Sequence, residues 1–443
     1  MENFLNLNKL TKGAPYKTER KLIWLYLWLL IFEGALRKWI LPGLQQPLIL
    51  VRDPIVIYLV VIGLQRGWIH SGYAKTMMVV STMSLILTLA VGHHNLIVGL
   101  FGWRIYFFHF PMMFVMAKVL TRDDLMKMAR FILYVSIPMT VLVVMQFYSP
   151  QSAWVNWGIG GDMEGAGFSG ALGYFRPPGT FSFTSGYVGF QAVVGCLLLY
   201  YLTINSTLGR QDKLPQWILI VMVGCYLVSI PTSISRTHFF QTVVFMIFLF
   251  VATMRNNRLK SRYMRFLAIG AVAICALLIT GLADTQIEAF TTRLESANKS
   301  EGGAEGVLGD RYAGSFLRGL FNFDLPIFGY GIGLGTNFGA RFLGGNMYSF
   351  GFNAEEEWSR VTGECGLVIG WIILLTRLFF SFDIWKKAYR LLVRRMDLLP
   401  WMLSAGVLLR VVNGQWAIPT DLGFAILLGG LALTSVKKSN YKE

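Results

Sequence analysis

Long apolar stretches, separated by short polar segments, run through most of this chain. Most of them approach the roughly 20 residues that a helix needs to cross the apolar core of a bilayer. The pattern therefore predicts twelve membrane-spanning helices, at residues 22–40, 48–65, 76–92, 96–118, 131–149, 184–205, 216–234, 237–254, 266–283, 365–381, 398–414 and 420–436.

The distribution of basic residues predicts how these helices are oriented. With the N-terminus inside, every predicted inside segment is basic, and these segments hold most of the 40 Lys and Arg residues. Inside loops of membrane proteins are enriched in Lys and Arg, so both termini are expected inside. The predicted division is an inside tail at 1–21, helices one to nine at 22–283, an outside loop at 284–364, and helices ten to twelve with a second tail at 365–443.

Composition agrees with a membrane protein. Hydrophobic residues make up 54% of the chain, charged residues 14%, and the mean hydropathy is +0.53. Soluble domains average about 25% charged residues. The net charge of +16 would suggest a nucleic-acid partner in a soluble protein. Because the excess lies in the predicted inside loops, we expect membrane lipids as partners and no nucleic acid.

Arginines on the predicted outside half are the first candidate functional residues. Arg binds phosphate through a planar fork, which Lys lacks. A charge within a span is costly without a partner. Two interpretations remain open: each arginine pairs with a carboxylate such as Asp53 or Asp421, or the group faces an anionic ligand at the outer leaflet. The arginines in or at the ends of spans are Arg52, Arg104, Arg236 and Arg410.

Two outside segments contain further candidates. In the loop near 150–183, Arg176 precedes Pro177-Pro178-Gly179. The prolines restrict the backbone and would aim the guanidinium, although an arginine at a span end can also extend to lipid headgroups. The Gly-x-Gly-x-Gly run at 329–333 has no strand–turn–helix context for a nucleotide. We expect a tight turn packed against helices there.

Three consecutive glutamates, Glu355, Glu356 and Glu357, precede the tenth predicted span. Asn353 and Glu356 have the spacing of a capping box, so a helix is expected to begin here. Acidic residues in a first helical turn are ordinary partners of the helix dipole. A run of three opposite several arginines also allows one of them to act as a general base.

Several ordered motifs resemble the bacterial O-antigen ligase/polymerase superfamily, over roughly residues 170–370. The segment Phe32-Glu33-Gly34-Ala35-Leu36-Arg37-Lys38-Trp39 and the run Arg52-Asp53-Pro54 resemble an exopolysaccharide subgroup. The motifs of the superfamily are Arg176-x-x-Gly179, Ser235-Arg236, the Pro-x-Phe-Gly-x-Gly run at 326–331, and Glu364-Cys365-Gly366-Leu367.

This resemblance implies an all-α polytopic membrane protein with a GT-C-like fold in the bacterial inner membrane, with both termini cytoplasmic. The loop at 284–364 would then be periplasmic and contain short helices. Family members transfer sugar chains from an undecaprenyl-diphosphate carrier. Arg176 and Arg236 would bind the donor diphosphate, and the candidate set extends to Arg311, Arg52, Arg104 and Arg410.

One departure from the family favours a polymerase. Ligases carry a histidine ahead of the Glu-x-Gly pattern, at a spacing that falls on Glu355 here, and 284–364 contains no histidine. We therefore expect an inverting polymerase whose donor and acceptor are lipid-linked oligosaccharides, with room for a chain-length regulator. The candidate bases are Glu355, Glu356 and Glu357, in that order.

No cofactor and no metal are expected, because arginines would supply the cationic role, although Asp310 stays open as a metal ligand. The alternatives are a ligase that delivers a finished glycan to a lipid or protein acceptor, and a flippase or transporter of lipid-linked oligosaccharide.

Overall fold

The computed structural model describes residues 16–254, 260–261, 263–264, 281, 284–301, 314–321, 325–344 and 352–437. Within these ranges the chain is mostly helical. The first half contains α1 Lys17–Ala35, α2 Asp53–Gln65, α3 Gly72–Ala90, α4 Leu96–Arg104, α5 Phe110–Val119, α6 Arg122–Tyr148 and α7 Thr184–Ile204. Between α6 and α7 lies a small antiparallel hairpin of β1 Ser169–Ala171 and β2 Tyr174–Phe175.

The second half continues with helices before, within and after the predicted large loop at 284–364. They are α8 Gln216–Thr232, α9 Arg236–Thr253, α10 Asp284–Glu301, α11 Ser315–Phe321, α12 Asn337–Phe342, α13 Glu357–Arg395, α14 Leu398–Val407 and α15 Pro419–Val436. Single π-turns at Leu36–Ile40, Ile105–His109 and Leu408–Val412 follow α1, α4 and α14. Short 3-10 turns occupy Pro42–Leu44, Pro47–Leu50, Trp154–Asn156 and Asn205–Thr207.

The described residues contain 8 helical segments long and apolar enough to cross a membrane. Two shorter apolar helices, Gln216–Thr232 and Leu398–Val412, match further predicted spans. The predicted all-α polytopic membrane protein is confirmed at this level. α1, which covers most of the predicted first span at 22–40, is not among these segments. The predicted span at 266–283 lies outside the described residues except for residue 281, so the number of twelve stays a prediction.

One end of the helix bundle, here called the tail end, is held together by one-to-one ion pairs. Arg66 lies 2.8 Å from Glu19, and Arg130 lies 2.6 Å from Asp212. Two further pairs, Arg20 with Asp124 and Arg122 with Asp397, join α1 to α6 and α6 to the turn before α14. The tail end therefore consists of segments that the sequence assigns to one side of the membrane.

The opposite end, here called the loop end, gathers the remaining connections. The indole N–H of Trp39 donates to the carbonyl of Trp154 (2.7 Å), and the backbone N–H of Gly160 donates to the carbonyl of Arg37 (3.1 Å). The side-chain amide of Gln415 donates to the carbonyl of Glu355. These contacts join the turn after α1 to the loop at 149–183, and the segment before α13 to the segment before α15.

The glycine-rich run docks onto a break in α13. Gly366 interrupts this helix with φ 78° and ψ 167°. The carbonyls of Gly363 and Glu364 therefore accept hydrogen bonds from the backbone N–H groups of Tyr330 (2.8 Å) and Gly331 (2.9 Å). The tight turn packed against helices, expected from the sequence, is confirmed.

The same run contacts α3 and α4 on its other side. The backbone N–H of Ile332 donates to Oγ1 of Thr88 (2.8 Å), and the Ile332 carbonyl lies 3.2 Å from Nε2 of His93. A β-carbon on Gly333 would lie 2.3 Å from the carbonyl oxygen of Val98. Only a residue without a side chain allows this approach, so the run is a wedge between α3–α4 and α13.

The start of α13 differs from the predicted capping box. Oδ1 of Asn353 accepts from the N–H of Glu355 (3.0 Å), and Glu356 occupies the N-cap without a side-chain hydrogen bond. The helix then runs from Glu357, earlier than the predicted span at 365–381, because segments on both sides of the break are helical.

We predict that Gly329→Ala destabilises the protein more than Gly344→Ala. Both glycines have positive φ, +73° and +70°, where a left-handed non-glycine residue costs about 1–2 kcal/mol. A β-carbon on Gly329 would also lie 2.3 Å from the backbone nitrogen of Gly366, whereas nothing lies within 4 Å at Gly344. Overpacking adds about 1–3 kcal/mol. Thermal unfolding in detergent, followed by tryptophan fluorescence, measures the loss of stability of each variant. Equal losses would show that the wedge does not need this close approach.

Candidate functional site

Three buried charged side chains connect the end of α1 to the beginnings of two other helices. Oε1 of Glu33 lies 3.4 Å from Nη1 of Arg37, and Oε2 lies 3.1 Å from Nε of Arg52. Arg37 Nη1 also donates to Oγ of Ser182, just before α7 (2.9 Å). Arg52 Nη2 donates to the carbonyl of Pro419, the first residue of α15 (2.8 Å). Glu33 thus bridges two arginines, each contacting the start of a different helix.

Arg104 is held by a second carboxylate. Its Nη1 lies 2.7 Å from Oδ2 of Asp53, and Oδ1 of Asp53 lies 3.1 Å from Nε2 of His109. The guanidinium stacks 4.0 Å from the ring centroid of Phe101. Arg104 therefore follows the pairing interpretation, as does Arg52 with its carboxylate on α1.

Lys38 adds a buried cation with a different environment. Its side chain is 1% exposed, and Nζ donates to the carbonyl of Gly179 (3.2 Å). The only other described contact is the ring of Trp39, 5.5 Å away, so no described carboxylate pairs with this ammonium. Lys38 instead holds the chain that follows Arg176.

Together these residues form what we call the first charge cluster. It contains two carboxylates and four cations, which are Glu33, Asp53, Arg37, Lys38, Arg52 and Arg104. Burying charge without a compensating partner is costly. With four basic and two acidic side chains, the cluster has a formal excess of positive charge at the loop end, whereas each ion pair of the tail end joins one basic to one acidic side chain.

Arg176 and Arg236 flank a single contact at the loop end. Arg176 follows β2, and its backbone N–H donates to the carbonyl of Phe168 (2.8 Å). Ile234, two residues before Arg236, packs in one small apolar cluster with Tyr174, two residues before Arg176. Both arginines are half-buried. The structure thus brings the two strongest arginine candidates to neighbouring positions.

Arg410 lies in the π-turn after α14 and connects α9 to α15. Its Nη2 donates to Oε1 of Gln241 (3.1 Å), and its Nη1 lies 3.6 Å from Oδ1 of Asp421. The Gln241 amide also contacts Nδ1 of His238 (3.0 Å), whose Nε2 lies 2.8 Å from Oγ of Ser229. Arg410 therefore links a buried polar chain on α8 and α9 to Asp421 on α15.

Glu357 belongs to what we call the second charge cluster, formed by Glu357, Arg360, Glu364 and Arg377. Its two oxygens accept from Arg360 (both 3.0 Å), from Nη1 of Arg377 (2.5 Å) and from the N–H of Trp416 (3.1 Å). Arg360 Nη1 also lies 2.7 Å from Glu364. Both oxygens of Glu357 are therefore engaged and buried, which favours a structural role over that of a base.

The other two glutamates remain accessible. Glu355 is exposed and Glu356 is partly exposed. Gln415 donates to the carbonyl of Glu355, so this residue lies beside the segment between Arg410 and α15. The structure therefore keeps Glu355 and Glu356 as candidate bases. Arg311 and Asp310 lie outside the described residues.

Sequence reasoning missed several buried charges that build the two clusters. Arg37 and Lys38 were part of a motif without an assigned role, and Arg377 lies within a predicted apolar span. The available signal was an ionisable residue inside an apolar run, which in membranes indicates a paired or functional group. His238, two residues after Arg236, carried the same signal, because it lies within the predicted span at 237–254.

Among the described residues, no group of three or more His, Cys, Asp or Glu side chains is arranged to hold a metal ion. In comparisons with protein-family models, curated proteins and solved structures, the chain matched none of them.

Proposed function

We propose that this protein is a membrane glycosyltransferase that polymerises undecaprenyl-diphosphate-linked repeat units of a surface or exopolysaccharide. In this proposal the reaction takes place at the loop end, facing the periplasm, and is inverting and metal-independent. The fold would be GT-C-like with twelve spans in the bacterial inner membrane. No second function is favoured by a particular contact.

The observation that carries the proposal is the excess of buried cations in the first charge cluster, with Arg176 and Arg236 at the same end. Such an excess favours a substrate that brings negative charge. Because the cluster lies among apolar helices, the anion would belong to a molecule that also partitions into the membrane. A lipid-linked diphosphate meets both requirements.

The chemistry of sugar transfer fits this distribution of cationic side chains. When the anomeric C–O bond breaks, the diphosphate leaves with increased negative charge, and fixed arginines stabilise this charge more in the transition state than in the ground state. The bond to the acceptor hydroxyl forms on the opposite face of the sugar. The hydroxyl proton passes to a carboxylate, and Glu355 or Glu356 has the required exposure.

A direct assay tests the proposal and its two alternatives. Purified protein is incubated with lipid-linked repeat units, and the products are separated by size. Longer chains on the same lipid support a polymerase. A glycan transferred to an added acceptor would instead identify a ligase, and unchanged substrate that has crossed a vesicle membrane would identify a flippase.

Arg176→Lys should reduce polymer formation strongly, because lysine keeps the charge but loses the bidentate fork. The matched control is Arg66→Lys at the tail end, where the side chain is 49% exposed in its pair with Glu19. Polymer length and yield are measured for both at equal amounts of membrane-inserted protein. Full activity of Arg176→Lys would remove Arg176 from the donor site.

The three glutamates should respond differently to Gln substitution. If Glu355 is the base, Glu355→Gln lowers turnover about 100-fold or more without changing the unfolding midpoint. Glu356→Gln is the test of the neighbouring candidate. Glu357→Gln should lower the midpoint, because it leaves Arg360 and Arg377 with less compensation.

Turnover and thermal unfolding, measured on the same preparations, separate these roles. Normal turnover in both Glu355→Gln and Glu356→Gln would mean that neither carboxylate is the base.

The proposed orientation predicts which residues face the periplasm. In a cysteine-free background, Ser152→Cys at the loop end should react with a membrane-impermeant maleimide in intact spheroplasts. Gln211→Cys at the tail end should react only after permeabilisation, because basic loops stay in the cytoplasm. Both positions are exposed. The reverse labelling pattern would place the proposed site on the cytoplasmic side.

A further inference from the structure

Helices α7 and α15 begin side by side at the loop end. A β-carbon on Gly189 of α7 would lie 2.7 Å from the ring of Phe424 on α15. Phe424 also packs against Phe181, 5.6 Å between ring centroids. Thr184 and Thr420 precede the contacting pair by similar distances along each helix, at about 1.5 Å per residue. The two N-termini are therefore level with each other and point in the same direction.

Arginines reach both of these N-termini. Arg37 donates to Ser182 before α7, and Arg52 donates to the carbonyl of Pro419 in α15. The Arg52 guanidinium also lies so close to α15 that a β-carbon on Gly423 would be 2.3 Å from Nη1. Arg52 thus covers the first turn of α15.

Donor groups at this place are buried and lack hydrogen-bond partners in the structure. They are Nη1 of Arg52, Oγ1 of Thr184 and Oγ1 of Thr420. The three residues are only 2%, 3% and 6% exposed. Buried polar atoms are normally hydrogen-bonded, and an unmade bond costs about 1–3 kcal/mol. Three such donors on converging elements indicate a ligand that accepts hydrogen bonds.

The helix ends themselves favour an anion. Phe183 and Ile418 occupy the N-caps of α7 and α15, and neither N-cap makes a side-chain hydrogen bond. Each N-terminus presents backbone N–H groups and the equivalent of about half a positive charge. Asp421 also lies in the first turn of α15, with Oδ1 3.6 Å from Nη1 of Arg410 and without a hydrogen bond in the structure. With Glu33 included, three arginines stand against two carboxylates here, so the formal charge is positive.

We propose that the paired N-termini of α7 and α15 bind a phosphoryl group, with Thr184, Thr420, Arg37 and Arg52 as its ligands. The inference rests on the proposed function and deepens it, because it assigns the diphosphate to a defined place and adds ligands outside the arginine candidates. Glu33 acts through the two arginines and is a positioning residue.

Binding measurements on the purified full-length protein test this site without sugar transfer. Inorganic pyrophosphate and a short-chain prenyl diphosphate are titrated by calorimetry into the wild type, Thr184→Val, Thr420→Val and the double variant. Each substitution should raise the Kd about 10-fold, as expected for one hydrogen bond to a charged group. The control is Thr434→Val at the other end of α15. The Thr434 hydroxyl donates to the Gly430 carbonyl (2.8 Å), and its loss should leave the Kd unchanged.

The unfolding midpoint of the unliganded protein provides a second readout. Valine replaces a hydroxyl that has no partner, so the double variant should be as stable as the wild type without ligand. A lowered midpoint with an unchanged Kd would show that the hydroxyls serve the fold, and would overturn the site. An unchanged Kd for both probes would overturn it as well.

Native mass spectrometry identifies the source of the phosphoryl group. Tighter binding of the prenyl diphosphate than of pyrophosphate supports a lipid-linked substrate. Loss of co-purified phosphatidylglycerol from the double variant, together with weaker pyrophosphate binding, supports a phospholipid headgroup at the same site. Failure of the proposed function would appear separately, as normal binding without polymer formation.

Discussion

The structure depends on compensating guanidinium groups inside an apolar helix bundle. Arg360 is fully buried, and its donors go to Glu357, Glu364 and the hydroxyl of Tyr106. Removing one partner from such a buried group leaves a charge that costs about 3–5 kcal/mol. The residues that compensate Arg360 therefore have to stay where the fold has placed them.

This requirement connects segments that are distant in sequence. The other oxygen of Glu364 accepts from the N–H of Gly335, two residues after the glycine-rich wedge (2.7 Å). Arg377 donates to the carbonyls of Val411 (2.7 Å) and Gly414 (3.0 Å) and stacks 3.9 Å from the ring of Trp416. The wedge, the broken helix and the turn before α15 are thus fixed by the same two arginines.

The loop end combines the second charge cluster, which is neutral, with the first charge cluster, which has an excess of positive charge. A balanced network can hold backbone segments in place without attracting a ligand, whereas unbalanced cations lower the cost of bringing in an anion. Because Glu357 belongs to the balanced network, it can be structural while its neighbour Glu355 stays exposed just before the same helix. In the proposed reaction, the rigid cluster positions the base and the cationic cluster binds the leaving group.

Much of the fold could be predicted from the chain alone. Runs of apolar residues determine where helices lie, because a bilayer requires each backbone polar group to bond within its own segment. The glycine-rich turn was also predictable from local chemistry. The pairing of charges was not, because Glu33 with Arg52, or Asp53 with Arg104, depends on which helices become neighbours.

The site was predictable in residue type and only partly in position. The sequence by itself determined an apolar helical membrane protein with arginines inside and beside its apolar runs. Only the tertiary structure decided that Arg52 and Arg104 are paired, that Glu357 is buried, and that the first turns of α7 and α15 meet. The physical reason is that helical periodicity is local, whereas the compensation of a buried charge depends on contacts between distant segments.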